Sequence, residues 1–90
     1  MERLKFDLFL QFKKRRDLGE IAYNDKEDYW VITLNRDMNF IDRVSILAHE
    51  IIHYLNEKGL IDCRDDEKVA YLVQRLIRKG VKVIIDDVLT

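Results

Sequence analysis

The fold of this chain is decided by the stretch NFIDRVSILAHEIIHYLNEKG, residues 39–59. Its apolar residues recur at spacings of three and four, the period of a helix with one apolar face. They are Ile41, Val44, Ala48, Ile51, Ile52 and Leu55. Asn39 is a suitable N-cap, and Gly59 stands where helices commonly end in a left-handed conformation. The stretch therefore predicts one long amphipathic helix, on which the following Leu60 packs back.

The residues before this helix predict β-strands. Apolar and polar side chains alternate over residues 4–13, the period of a half-buried strand. Residues 20–23 and 29–34 are two further short runs, joined by the polar segment 24–28, and this arrangement is typical of a hairpin. The strand from Trp30 to Leu34 runs just before the helix, and we expect that an extended substrate can add to a sheet edge there.

The residues after Gly59 predict a second helix and a final strand. From about Asp65 to Lys79 the helix has an acidic start and a basic end, and both suit the helix dipole. Its predicted apolar face consists of Val69, Leu72, Val73 and Leu76. Gly80 ends this helix, Val81 to Ile85 reads as a short strand, and residues 86–90 form a tail. The whole order predicts an α+β domain with a small, mostly antiparallel sheet packed on the two helices.

Length, charge and cysteine content bound the class of protein. The 90 residues predict a single domain over residues 1–90, and the net charge of −1 creates no global attraction to nucleic acid or an anionic membrane. The one cysteine, Cys63, has no partner for an internal disulfide, which fits a reducing compartment. No segment approaches the ~20 apolar residues of a membrane span or resembles a signal peptide. We therefore expect a cytoplasmic protein without membrane or nucleic-acid partners.

One basic run, Lys13 to Arg16, offers the alternative of a nucleic-acid contact. It contains four residues and is followed by Asp17 and Glu20. A solvated turn is the simpler interpretation.

The segment His49-Glu50-Ile51-Ile52-His53 carries the chemistry of the chain. Residues four apart share one face of a helix, so two imidazoles at this spacing can bind one zinc ion at about 2.0–2.1 Å. Glu50 is placed to act as general base on a metal-activated water. We expect His49 and His53 to flank the apolar stripe rather than to lie buried within it. The alternative is two ordinary histidines on an amphipathic helix, with Glu50 a solvated carboxylate.

A catalytic zinc usually takes three protein ligands, and the third is expected from another element. Glu67, at the start of the second helix, is the best candidate, and Asp66 is the next. Cys63 is chemically acceptable but is more simply a small buried residue of the connecting loop. Tyr71, one turn beyond Glu67, either packs or donates a hydrogen bond to a developing oxyanion, whereas Tyr54 is expected to pack.

Two blocks of the sequence resemble the compact gluzincin peptidases, which include the minigluzincins and the catalytic cores of ImmA/IrrE-type proteins. They are Ile46 to Leu55 and Asp66 to Leu72, and the resemblance spans roughly Trp30 to Leu76. It implies zinc bound by His49, His53 and Glu67, with Glu50 as base and acid. It also implies a small sheet whose last strand before the metal helix borders the cleft.

The chain departs from these families in two respects. It lacks the further domains of the larger relatives, and the gap between His53 and Glu67 is short. Similarity to the minigluzincins implies that residues 86–90 cover or ligate the metal and keep the protein latent. The residues themselves predict a frayed acidic tail equally well.

The sequence thus predicts a zinc-dependent hydrolase acting on a peptide or protein substrate. The alternative is a non-catalytic zinc-binding module with a regulatory or protein-interaction role, in which the metal site is closed or blocked. Imidazole and carboxylate ligands also accept iron, manganese or nickel, so the ligand set does not select zinc uniquely.

Overall fold

Within residues 7–89, which this computed structural model describes (side chains over residues 7–80), three strands are followed by two helices. The strands are β1 (Leu8–Lys13), β2 (Gly19–Asn24) and β3 (Tyr29–Asn35). The helices are α1 (Phe40–Glu57) and α2 (Asp66–Leu89). The predicted α+β class is confirmed, while residues 4–6 of the predicted first strand lie outside the described residues. Neither described helix is long and apolar enough to cross a membrane.

The sheet has the order β1-β3-β2 and is mixed, so the prediction of a mostly antiparallel sheet is wrong. β2 and β3 form the predicted antiparallel hairpin, with Tyr23 opposite Trp30. β1, however, pairs with β3 in parallel, with Leu10 opposite Ile32. Because β3 is flanked on both sides, the expectation that its Trp30–Leu34 segment offers an open edge is also wrong.

Asn35 at the end of β3 explains why β1 and β2 lie on opposite sides of that strand. The connection between β1 and β2 passes over this end, where the Asn35 backbone N–H donates to the carbonyl of Leu18 at 2.9 Å. The Asn35 side-chain amide donates to the carbonyl of Arg15 at 3.0 Å. A short connection held in this way places its two strands on either side of β3 rather than side by side.

The core lies between the sheet and α1. Ile32 and Leu34 of β3 are each 1% exposed and pack with Ile46 of α1. Gly19 allows α1 to approach β2 closely, because a Cβ added there would lie 2.9 Å from both Ile46 Cγ2 and Leu34 Cδ2. This close approach positions the middle of α1, which carries the histidines.

The ends of α1 follow the sequence closely. The Asn39 side chain accepts a hydrogen bond from the backbone N–H of Asp42 at 2.9 Å, as an N-cap does. Gly59 has φ of 71°, the left-handed conformation that ends helices. Leu60 is 65% exposed, so the expectation that it packs back on the helix is wrong.

α2 continues through Gly80 to Leu89, and the predicted strand Val81–Ile85 is wrong. A glycine inside a helix costs only about 1 kcal/mol relative to alanine, and a short apolar run fits helix and strand equally. Residues 86–89 of the predicted tail are helical as well, and Thr90 lies outside the described residues. At 1.5 Å per residue, residue 86 is roughly 29 Å along the helix from Glu67, so this segment does not reach the start of α2.

α2 also faces the rest of the molecule differently from the prediction. Ala70 is fully buried against α1, whereas Leu72 and Leu76 of the predicted apolar face are 50% and 60% exposed. A small residue at the point of contact lets two helices approach closely, and this contact sets the rotation of α2. The rotation turns the Glu67 side of α2 towards the histidines of α1.

Candidate metal centre

Three side chains from the two helices meet at one point. His49 and His53 lie one turn apart on α1, and their Nε2 atoms are 3.2 Å from each other. Glu67, in the first turn of α2, has Oε1 3.0 Å from Nε2 of His49 and Oε2 3.4 Å from Nε2 of His53. Among the described residues, these three form a group able to place one ligand atom each around a single ion.

The spacing of these atoms fits one tetrahedral metal ion. Ligands at about 2.0–2.1 Å from zinc stand about 3.3–3.4 Å apart along the edges of a tetrahedron. The two Nε2 atoms are 3.2 Å apart, and one oxygen of Glu67 lies 3.0 Å from the Nε2 of His49 while the other lies 3.4 Å from that of His53, so each of these separations is close to this value. Three ligands of this kind leave the fourth vertex free, as in catalytic rather than structural zinc sites.

The other ring nitrogen of each histidine contacts an acceptor from α2. Nδ1 of His49 is 2.7 Å from Oε1 of Gln74, and Nδ1 of His53 is 2.9 Å from Oδ2 of Asp66. When the ring proton of each histidine is on Nδ1, that N–H donates to Gln74 or Asp66. Each Nε2 is then unprotonated, and its lone pair faces Glu67. With the ring protons in these positions, a cation between the two Nε2 atoms and the Glu67 carboxylate would be attracted by all three groups.

Asp66 and Glu67 therefore have different positions, although both were candidate ligands. Asp66 lies behind His53 and contacts the nitrogen that faces away from the centre. Glu67 reaches both Nε2 atoms. The contact of Gln74 with His49 was not predicted. The only sequence signal for it is that Gln74 follows Glu67 by seven residues, two helical turns, and so shares its face.

His49 is buried, contrary to expectation, whereas His53 is half-buried. His49 and Glu50 are 8% and 7% exposed, because α1 is covered by the sheet on one side and by α2 on the other. The spacing of the apolar residues predicts one buried face on α1. A helix that lies between two layers is buried on two faces, and the second face carries the histidines.

Burial and charge act on the titratable groups of this face in opposite directions. Burial raises the pKa of Glu50, and the nearby imidazoles of His49 and His53 offset part of the rise. Burial acts to lower the pKa of His53, but the hydrogen bond that its ring donates to Asp66 and the charge of Glu67 outweigh this effect, so the pKa is raised. The hydrogen bond with His53 lowers the pKa of Asp66. Glu50 is thus a buried carboxylate that holds a proton more readily than usual.

A pocket of about 240 Å³ opens beside His49 and Glu50. Its walls come from the start of β2, from α1 and from α2: Asp17, Leu18, Gly19, Ile46, His49, Glu50, Tyr71 and Gln74. β2, an edge strand, therefore borders the pocket in place of the last strand before α1 that the resemblance implied. The Tyr71 ring lies 4.7 Å from the ring of His49, and half of this residue is exposed. Tyr54 packs against Trp30 away from the pocket lining, as expected.

Cys63 and the basic run Lys13 to Arg16 are the remaining residues that the sequence offered as candidates for a functional role. The backbone N–H of Cys63 donates to the Asn56 side chain at 3.1 Å, in the loop between the helices. In the basic run, the guanidinium of Arg15 lies 2.6 Å from a carboxylate oxygen of Asp17 and 2.7 Å from one of Glu20. These two carboxylates offset the positive charge that the run would present to a nucleic acid.

Comparison of the chain with protein-family models, with curated proteins and with solved structures gave no match.

Proposed function

We propose that this protein is a zinc-dependent peptidase in which His49, His53 and Glu67 hold the metal and Glu50 is the general base. The observation that carries the proposal is the convergence of the two histidine Nε2 atoms and the Glu67 carboxylate, at separations of 3.0–3.4 Å. Both outward-facing Nδ1 atoms are already occupied by acceptors, which leaves the Nε2 lone pairs for a cation.

The chemistry divides between the metal and the chain. When bound, zinc supplies a Lewis acid that lowers the pKa of a water molecule and polarises a carbonyl group. Glu50 lines the same pocket as His49, and its burial raises its pKa. A carboxylate of this kind accepts the proton of the attacking water and can return it to the leaving amine, because its pKa lies nearer to the working pH.

The surroundings of the site favour an extended peptide as substrate. β2 pairs with β3 on one side only, and among the described strands its other edge carries no partner. A peptide lying along this edge can use main-chain hydrogen bonds for affinity. Gly19, the first residue of β2, lies in the pocket wall, so this strand edge begins at the pocket.

A second candidate is a zinc-binding module without catalysis. It is favoured by the size of the pocket, since about 240 Å³ lies below the ~300 Å³ of common ligand sites. Against it, the group formed by the described residues contains three ligands and no fourth, which is the composition of an open site.

The deciding experiment combines metal analysis with hydrolysis of a fluorogenic peptide library. We expect about one metal ion per chain in the wild type and its loss in Glu67→Ala. Glu50→Gln should keep the metal and lose turnover, and elemental analysis distinguishes zinc from iron, manganese or nickel. A metal-loaded wild type without hydrolysis would support the non-catalytic module. A Glu50→Gln variant as active as the wild type would refute the assigned mechanism.

A further inference from the structure

Gln74 is a polar side chain of α2 that the proposed chemistry does not use. It is half-buried, it lines the pocket, and its Oε1 lies 2.7 Å from Nδ1 of His49. We propose that Gln74 is a positioning residue that selects the metal-binding tautomer of His49. This inference rests on the proposed metal site and adds a residue to it.

A neutral imidazole carries a single proton on its ring nitrogens. The proton occupies one ring nitrogen, and the partner of the other nitrogen decides which form can bind a metal. In His49 both nitrogens face an acceptor: Nδ1 faces Gln74 at 2.7 Å, and Nε2 faces Glu67 at 3.0 Å. Without Gln74, the proton would be held on Nε2 by the Glu67 carboxylate, and that tautomer has no lone pair at the metal position.

The two histidines are supported by different chemistry. His53 faces a carboxylate, Asp66, which only accepts hydrogen bonds. His49 faces an amide, which orients the ring without adding a negative charge beside Glu50, Glu67 and Asp66. The ring of Tyr71 packs edge-on against His49, with 78° between the ring planes, and limits its rotation. The proposed role of Gln74 is therefore to accept a hydrogen bond from Nδ1 of His49, which keeps the ring proton on that nitrogen.

Gln74 and the third proposed ligand, Glu67, lie on the same helix, so the position of α2 determines whether both reach His49. Glu67 and Gln74 are two turns apart on one helix and contact opposite nitrogens of the same imidazole. One docking geometry of α2 on α1 therefore brings both groups to His49.

The experiment compares Gln74→Leu, Gln74→Glu and the control Arg75→Leu, which changes the neighbouring, exposed residue of α2. Zinc affinity is measured by competition with a chromophoric chelator. The tautomer of His49 is measured in the metal-free protein at pH 8 by ¹⁵N NMR. We expect Gln74→Leu to bind zinc about 10–100-fold more weakly, the usual effect of losing such an orienting partner. It should also move the imidazole proton from Nδ1 to Nε2.

Gln74→Glu should restore the Nδ1 proton and bind zinc at least as tightly as the wild type, because it restores an acceptor. Arg75→Leu should leave both quantities unchanged. Zinc binding by Gln74→Leu at wild-type affinity would overturn the inference while leaving the metal site intact, and so would a wild-type His49 protonated on Nε2. Failure of the wild type to bind zinc would refute the metal site itself. Circular dichroism of each variant verifies that α1 and α2 are folded.

Discussion

Replacing Gly19 with alanine tests how closely α1 is seated on the sheet beneath the candidate metal centre. The new Cβ would lie 2.9 Å from Ile46 Cγ2 and 2.9 Å from Leu34 Cδ2. Carbon atoms pack best at about 3.5–4.0 Å, so both contacts would be too short by about 0.6 Å or more. Ile46 and Leu34 are 7% and 1% exposed and cannot turn into solvent. These side chains, or the backbone of α1 or β2, therefore have to shift within a packed core.

The size of the effect follows from other overpacked cores. One extra carbon in a well-packed site costs about 1–3 kcal/mol of unfolding free energy. For a domain of 60–100 residues, each kcal/mol lowers Tm by about 4–8 °C, so Gly19→Ala should melt about 4–24 °C below the wild type. Gly80→Ala is the matched control. It lies inside α2, and apart from its chain neighbours and the nearby backbone of its own helix no atom of the described residues lies within 4 Å of the added Cβ. Removing a glycine from a helix there should stabilise by about 0.8–1 kcal/mol.

Thermal unfolding followed by circular dichroism gives both values, and urea titration of the same proteins gives the free energies. The two Gly→Ala changes should shift Tm in opposite directions. If Gly19→Ala melts at or above the wild-type temperature, α1 does not approach β2 as described, and the pocket wall formed by Gly19 and Ile46 is misplaced as well. A destabilised Gly80→Ala would instead argue against a continuous α2.

Further predictions concern the metal, acid stability and the end of α2. Zinc at 100 times its Kd should stabilise the wild type by about 2.7 kcal/mol and leave His53→Ala unaffected, and thermal melts with and without zinc test this. Hydrogen bonds from Lys58 and Tyr54 lower the pKa of Asp7. Ionised Asp7 therefore stabilises the folded state. Its contribution is fully present above the unfolded-state pKa of about 3.9 and is lost as the pH falls through the lower pKa of the folded state. Tm measured against pH should therefore fall less steeply below pH 4 in Asp7→Asn. Because residue 86 is roughly 29 Å along α2 from Glu67, deleting residues 86–90 should leave zinc affinity unchanged. A tenfold change on deletion would show that the tail reaches the site.

The features that sequence reasoning predicted correctly depend on local interactions. The capping of α1 by Asn39 and its end at Gly59 follow from residues within one turn of each other. The proximity of His49 and His53 follows from the helical repeat alone. The hairpin of β2 and β3 is likewise a connection of short range. In each case few conformations compete, so the residue pattern is sufficient.

The features that sequence reasoning missed depend on contacts between distant residues. The parallel pairing of β1 follows from Asn35, which binds backbone atoms 18 and 20 residues away in a connection that carries no strand pattern. The rotation of α2 follows from the close contact at Ala70, and an apolar stripe containing Leu72 and Leu76 suggested another face. Gln74 reaches His49 only because of that rotation. The spacing of apolar residues predicts which side of each helix is buried. It does not predict how the side chains of two helices fit together, and this fit sets the rotation of α2.

The contact between α1 and α2 combines apolar and polar groups. Ala70 is the one buried residue among the described side chains of α2, and Val69, Val73 and Ile77 are half-buried. Asp66, Glu67 and Gln74 contact the two histidines through polar atoms, and the Tyr71 ring packs against His49. Glu67 lies against both imidazoles, so a cation bound between these three groups would link α1 to α2. We therefore expect metal binding to strengthen the docking of α2, because Asp66, Glu67 and Gln74 contribute to both.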